Sequence, residues 1–363
     1  LDLVTTNVGT DDISILLGNG DSTFAVQPNV GVGDLPRSIA AADLNGDGNP
    51  DLAVANFSDD ATVLLGNGDG TFAAQSSVAV GNSPRSITAA DLDADGVSDL
   101  AIANYYDDTV SILLGNGDGT FTAQSPVSTG DAPSSITHGD LDGDGFRDLA
   151  IANYSDDTVS SLLGNGDGTF TAQSPVSTGD APHSITHGDL DGDGVIDLIT
   201  ANDASNDISI LLGNGNGTFT AQPRLPAGGD PWSVKVADLV GDSNLDVVTA
   251  NYQSSDVLVL HGNGDGTLAS KPNIPVGNAP NSITADDIDG NGTLDLVTTN
   301  SIGDDISILL GDGNGTFTPE PGPAVGSSPQ SIAAADLNGD GIPDFATANF
   351  TSDDVSILLG NGN

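Results

Sequence analysis

Seven times, at steps of 48 or 49 residues, the chain sets acidic or amide side chains at alternate positions of one short loop, most plainly in Asp140-Leu-Asp142-Gly-Asp144-Gly-Phe-Arg-Asp148. Oxygen donors at loop positions 1, 3, 5 and 9 suit the wrapping of a hard cation. Glycine at position 6, here Gly145, lets the backbone turn sharply so that the first three side chains converge, and position 7 offers its carbonyl. Position 9 closes the shell from the first residue of an apolar run, Leu149-Ala-Ile-Ala.

The donors assigned in this way are Asp43, Asn45, Asp47, Asn49 and Asp51; Asp91, Asp93, Asp95, Val97 and Asp99; Asp140, Asp142, Asp144, Phe146 and Asp148; and Asp189, Asp191, Asp193, Val195 and Asp197. Two further sets are Asp287, Asp289, Asn291, Thr293 and Asp295, and Asp336, Asn338, Asp340, Ile342 and Asp344. Asn45, Asn291 and Asn338 keep an oxygen while dropping a charge. In the seventh loop Val240 replaces the donor at position 3 and Ser243 the glycine, so Asp238, Asp242, Asn244 and Asp246 are expected to form a weak or empty site. The expected cofactor is Ca²⁺, at about six or seven sites, because so many protein oxygens in a flexible loop exceed what magnesium, which keeps its waters, normally accepts.

Composition agrees. Acidic residues number 52 against 6 Lys and Arg, and all but Glu320 are Asp, a turn and cap former and a poor helix former. A formal charge of -46 leaves no basic face for nucleic acid. Cysteine is absent, so disulfides and thiol catalysis are excluded. No apolar stretch approaches the roughly 20 residues of a membrane-spanning helix. Extracellular calcium modules work at dissociation constants of roughly 10⁻⁴ to 10⁻³ M, so an extracellular or cell-surface location is expected, as a segment of an exported protein.

The elements that carry these loops are short strands. A repeat of about 49 residues matches one four-stranded propeller blade. In the third unit strand A is expected at 135–139, strand B at 148–153, strand C at 158–163 and strand D at 169–176. The acidic loop joins A to B, and Gly164-Asn-Gly-Asp-Gly168 makes a tight C to D turn. Small residues in strand A, such as Ala40-Ala-Ala42, suit the crowded axis of a propeller, while Phe24, Phe72, Phe121, Phe170, Phe219 and Phe317 recur after the C to D turn to fill the space between blades. The expected fold is all-β, a single β-propeller domain over 1–363. Signals for B and C occur eight times and those for A and D seven times, which favours seven four-stranded blades with eight as the alternative. The surplus strands could extend an edge, pair with a neighbouring molecule, or reflect trimming from a longer array.

With these motifs the chain resembles the FG-GAP and VCBS repeat family, the propeller type of integrin α subunits and many bacterial surface proteins. Asp91-Leu-Asp93-Ala-Asp95-Gly-Val-Ser-Asp99-Leu follows the family's D-x-D-x-D-G-x-x-D-L pattern, and the other units repeat it over essentially the whole chain. The resemblance implies calcium in the A to B loops and a ligand on the opposite face. Pro-x-Ser-Ile, as in Pro133-Ser-Ser-Ile136, and Ala-Asn, as in Ala152-Asn153, depart from the integrin motifs, which argues against an integrin-like heterodimer.

On that opposite face, each Pro-x-Ser motif carries a different residue at x. Arg37, Arg85, His183 and Trp232 are the candidate ligand contacts, with Ser134, Asn281 and Gln330 completing the ring. No nucleophile motif or unique carboxylate pair stands apart, and His138 and His187 read as structural, so no enzymatic activity is expected. The expected function is an adhesion or protein-interaction module. A structural subunit of a calcium-stabilised filament or sheath and a carbohydrate-binding propeller are the alternatives; 4% aromatic content offers the latter few stacking platforms.

Overall fold

The computed structural model describes residues 2–19, 23–338 and 340–360. Among these, every regular element is a β-strand, and the strands form eight separate antiparallel sheets in chain order. The eight-blade alternative is therefore the one realised. Blade 1 opens on strand B (Asp2–Asn7), and blade 8 ends on strand C (Asp354–Leu358), so the incomplete units at the two ends stay as two blades.

Blade 4 shows the unit. Strand A is Pro133–Gly139, strand B Asp148–Asn153 and strand C Thr158–Gly164, paired in that order. The outer strand differs from the expected continuous one. It is broken into Phe170–Ala172 and Val176–Ser177, both of which pair with strand C, with Gln173-Ser-Pro175 bulging out between them. The register sets these three residues against Ser160 and Ser161 of strand C, a bulge that recurs in blade 2 at Gln75-Ser-Ser77, where no proline stands.

The A strands are innermost and contact one another from blade 2 round to blade 8. Strand B is buried on both faces in blades 2 to 7, hence its uniform run of Leu, Ala, Ile, Val and Thr. Between neighbouring blades the apolar side chains of B and C interlock, as where Leu149, Ile151 and Leu162 of blade 4 meet Ala101, Val110 and Ile112 of blade 3. Phe72, Phe121, Phe170, Phe219 and Phe317 pack at these seams, as expected.

Strand C ends on a glycine in blades 1 to 7, and in blades 2 to 7 another backbone passes there. A Cβ on Gly164 would lie 2.3 Å from the carbonyl oxygen of Arg147. Gly164→Ala is accordingly expected to cost about 2–3 kcal/mol in urea unfolding, whereas Gly31→Ala, in open space, should change stability by less than about 0.5 kcal/mol.

Candidate metal centres and recognition face

Each acidic loop is organised around the carboxylate at position 9. In blade 4 Asp148 is fully buried; its Oδ2 accepts the Leu141 N–H at 2.7 Å and its Oδ1 accepts the Gly164 N–H at 2.8 Å. The side chain thus ties the A to B loop to the end of strand C. The bond to strand C recurs in all eight blades, from Asp2 with Gly18 at 3.0 Å to Asp344 with Gly360 at 2.8 Å. Position 1 shapes the loop itself: Asp140 accepts from Gly143 at 2.7 Å and Gly145 at 3.0 Å, and Gly145 has φ 91°, which a residue with a Cβ would rarely adopt.

Carboxylate oxygens of positions 1, 3 and 9 come within 4.8 Å of one another in four loops: Asp91, Asp93 and Asp99; Asp140, Asp142 and Asp148; Asp189, Asp191 and Asp197; Asp287, Asp289 and Asp295. These are the loops with Asp at position 3. Where Asn45 or Asn338 stands there, the third oxygen is an amide, and Val240 supplies none. Position 5 also closes the turn: Asp95, Asp144 and Asp193 each accept the N–H of position 7 through one oxygen, at 2.8, 2.9 and 2.8 Å, as position 3 accepts that of position 5.

Three facing carboxylates make a donor set that fits a divalent cation. In blade 3 the fit has a further sign, since Asp91 Oδ1 is buried without a hydrogen-bond partner, and a cation would satisfy it. Burial, opposed by the backbone N–H bonds and reinforced by neighbouring Asp charges, pushes the carboxyls of Asp99, Asp148 and Asp197 up to about 6.

The B to C turns and D to A loops share the other face. There the turn residue Asp108 accepts the Ala132 N–H of the next blade at 2.8 Å, and Asp157 likewise accepts from Ala181 at 2.8 Å. The variable residues of Pro-x-Ser meet, on this face, the residue that follows the last Asn of strand B. The guanidinium of Arg85 lies 4.7 Å from the Tyr105 ring centroid and that of Arg37 5.6 Å from Phe57. His183 sits 4.2 Å from Trp232 and 6.4 Å from Tyr154, and Trp232 lies 5.4 Å from Tyr252. Tyr105 bridges Tyr106 at 5.2 Å and Tyr154 at 6.4 Å, and Tyr106 reaches Phe57 at 6.2 Å, making one aromatic arc. It contains all 4 Tyr and the single Trp. The structure thus joins Arg37, Arg85, His183 and Trp232, while Asn281 and Gln330 pair with each other at 3.1 Å farther round and Ser134 is buried.

Sequence reasoning missed Phe57, Tyr105, Tyr106, Tyr154 and Tyr252. The signal was the variable position after each strand-B Asn, which spacing alone did not connect to Pro-x-Ser. His183 is held down to about 4, mainly by burial and then by Arg85, so its ring is neutral at pH 7. His138 and His187 are bonded to Thr88 and Thr137 at 2.7 and 2.8 Å across adjacent A strands, a structural use.

The FG-GAP-like repeat family matches at residues 1–54, 43–102, 91–151, 140–200, 189–249, 238–298 and 287–347. The chain belongs to the FG-GAP-like repeat family. No curated protein matches it. Solved structures similar to this FG-GAP chain include a protein from Lactobacillus plantarum at 16% identity and TM-score 0.67, covering 91% of this chain and 98% of that one. Another is an Agrocybe aegerita lectin that recognises non-reducing terminal N-acetylglucosamine, at 21% identity and TM-score 0.58, covering 88% and 89%. A periplasmic gluconolactonase from Pseudomonas aeruginosa shares 17% identity at TM-score 0.60, covering 99% of each chain. At these identities the likeness is one of fold.

The raised carboxyls set the pH response of the metal-free FG-GAP chain. Asp99, Asp148 and Asp197 bind protons more tightly folded, at about 6, than unfolded, near the ordinary carboxyl value of 3.8, so their contribution favours folding below about 4 and is lost as pH rises through 6. In chelator, the urea midpoint should therefore be higher at pH 5 than at pH 7. With divalent metal in excess the order should reverse, because protons then compete with the cation.

Proposed function

We propose that the protein is a calcium-stabilised, extracellular or cell-surface β-propeller acting as an adhesion or interaction module, with its ligand on the aromatic arc. The observation that carries this is the arc itself. Every Tyr and the Trp gather on one face, beside Arg37 and Arg85, and among the described residues neither Arg has a carboxylate within ion-pair distance, although the chain has 52 acidic residues. Large amphipathic rings with stacked guanidiniums are the residue types that dominate binding hot spots. Calcium is the cation proposed for the Asp loops, where each occupied site stabilises the fold by mass action.

A carbohydrate ligand is a second reading that the arc favours. The low overall aromatic content is concentrated where stacking on sugar rings would need it, so the shortage of platforms expected from composition does not apply to this face. Acidic saccharides suit the two ring-stacked guanidiniums of Arg37 and Arg85. Binding without catalysis is proposed because the inward histidines are engaged in structural hydrogen bonds and the Asp residues in repeated loops and turns.

Trp232 is the sole tryptophan, so its emission reports on the arc directly. Titration with a panel of neutral and acidic oligosaccharides and candidate matrix proteins is expected to shift that emission for the true ligand. Trp232→Ala should weaken binding, measured by calorimetry, about 30-fold, the cost of losing a hot-spot aromatic. Unchanged affinity in the variant would move the site elsewhere.

A further inference from the structure

Blade 5 breaks the series of rings on the recognition face. The residue after the last Asn of strand B is Phe57, Tyr105, Tyr154 and Tyr252 in blades 2, 3, 4 and 6, but Asp203 in blade 5. Asp203 is half-buried, and its Oδ2 accepts the Tyr154 hydroxyl at 3.0 Å across the seam from blade 4. Among the described residues nothing donates to its Oδ1. His183, in strand A of the same blade, is a second acceptor. Its Nδ1 lies 3.0 Å from the Trp232 carbonyl oxygen, which can only accept, so Nδ1 carries the proton and Nε2 of the neutral ring keeps its lone pair. Asp230, just before Pro231 and Trp232, adds another carboxylate here: burial and then the Asp203 charge push its carboxyl up.

The other end of the arc only donates. Arg37 and Arg85 lie over Phe57 and Tyr105, and a guanidinium has no acceptor but offers a planar fork that fits the two oxygens of a carboxylate. Arg85 and Asp203 sense each other without touching. The Asp203 carboxyl, raised mainly by burial, is drawn back by the Tyr154 bond and by the Arg85 charge, yet among the described residues no ion pair joins the two. Between the donor end and the acceptor end stand Tyr105 and Tyr154, with ring centroids 6.4 Å apart.

We propose that the arc is a sugar-acid site, taking a saccharide unit whose carboxylate is clamped by Arg85 and whose ring hydroxyls donate to Asp203 and His183, with a C–H face of the sugar on Trp232. This rests on the arc being the ligand face and deepens that reading to a substrate class and an orientation. A direct ion pair would satisfy Arg85 and Asp203 internally; held apart, they leave a gap for a group that carries acceptors on one side and donors on the other. A neutral sugar leaves the guanidinium unpaired. A densely sulfated one sets further negative charge against Asp203, Asp230 and a chain of formal charge -46. One carboxylate beside free ring hydroxyls satisfies both ends.

Trp232 emission and calorimetry on the full chain in calcium test this with trisaccharides ending in galacturonate, glucuronate, mannuronate or sialate, each beside its methyl ester, and with sulfated galactotriose. At least one acid is expected to bind, and its ester, which keeps the hydroxyls but loses the charge, should bind about tenfold more weakly. Arg85→Gln should bring the acid down to the affinity of the ester and leave the ester unchanged. Asp203→Asn, whose amide oxygen keeps the Tyr154 bond while a donor replaces the free acceptor, should weaken acid and ester alike by about tenfold at an unchanged melting temperature. Equal affinity for acid and ester, tighter binding of the sulfated sugar, no binding of any acid, or either variant behaving as the unaltered chain would overturn the sugar-acid assignment. If neutral sugars or matrix proteins then bind and Trp232→Ala weakens them, the arc remains the ligand face; if Trp232→Ala leaves them unchanged, that reading falls as well.

Discussion

A carboxylate with no exposed surface begins strand B in blades 2 to 8, and the fold is built around accommodating it. Asp51, Asp99, Asp148, Asp197, Asp246, Asp295 and Asp344 each accept one N–H from the A to B loop and one from the end of strand C. Two such bonds hold the corner of the blade, yet they do not neutralise the charge, and in four loops two further aspartates face it. An unpaired buried charge shifts its pKa or gathers a counterion. The raised carboxyls of Asp99, Asp148 and Asp197 are the first response, and the cation proposed for the loop would be the second.

The two faces of the wheel divide the work. On the loop face the same residues recur because every blade solves the same electrostatic problem. On the opposite face a second repeated device holds the backbone: the last Asn of strand B donates to a Ser or Thr of strand C, as from Asn153 to Ser160 at 2.9 Å, and turn carboxylates such as Asp108 bond to the next blade. With the scaffold fixed this way, the residues after Pro and after Asn are free to differ. In blades 2 to 6 they supply the rings and guanidiniums of the arc.

Much of this was legible in the sequence. The Asp loops, the bounds of strand B and the small residues at the axis all followed from spacing, because each is local and repeated. Three features were not. Strand D breaks at Gln173-Ser-Pro175 because three of its residues stand against two of strand C, a bulge that blade 2 shows without proline and that the strand-forming neighbours hide in the sequence. The hydrogen bonds by which position 5 carboxylates such as Asp144 close the turn are another, since spacing shows the donors of a loop but not the N–H groups they accept. The arc joins residues such as Tyr154 and His183, far apart in sequence, and only the closed ring brings them together. Blade number likewise depended on whether the end units merge, which is decided by packing at the seam.

The central claim is that the converging aspartates of each loop need a cation to hold the wheel together. Calcium binding followed by calorimetry on metal-stripped protein, with thermal melting of the same samples, tests it most directly. The account predicts about six ions bound per chain, the loop at Asp238 filling last or not at all, and a melting temperature that climbs with calcium concentration. No measurable binding, or a melting temperature indifferent to both calcium and chelator, would contradict it.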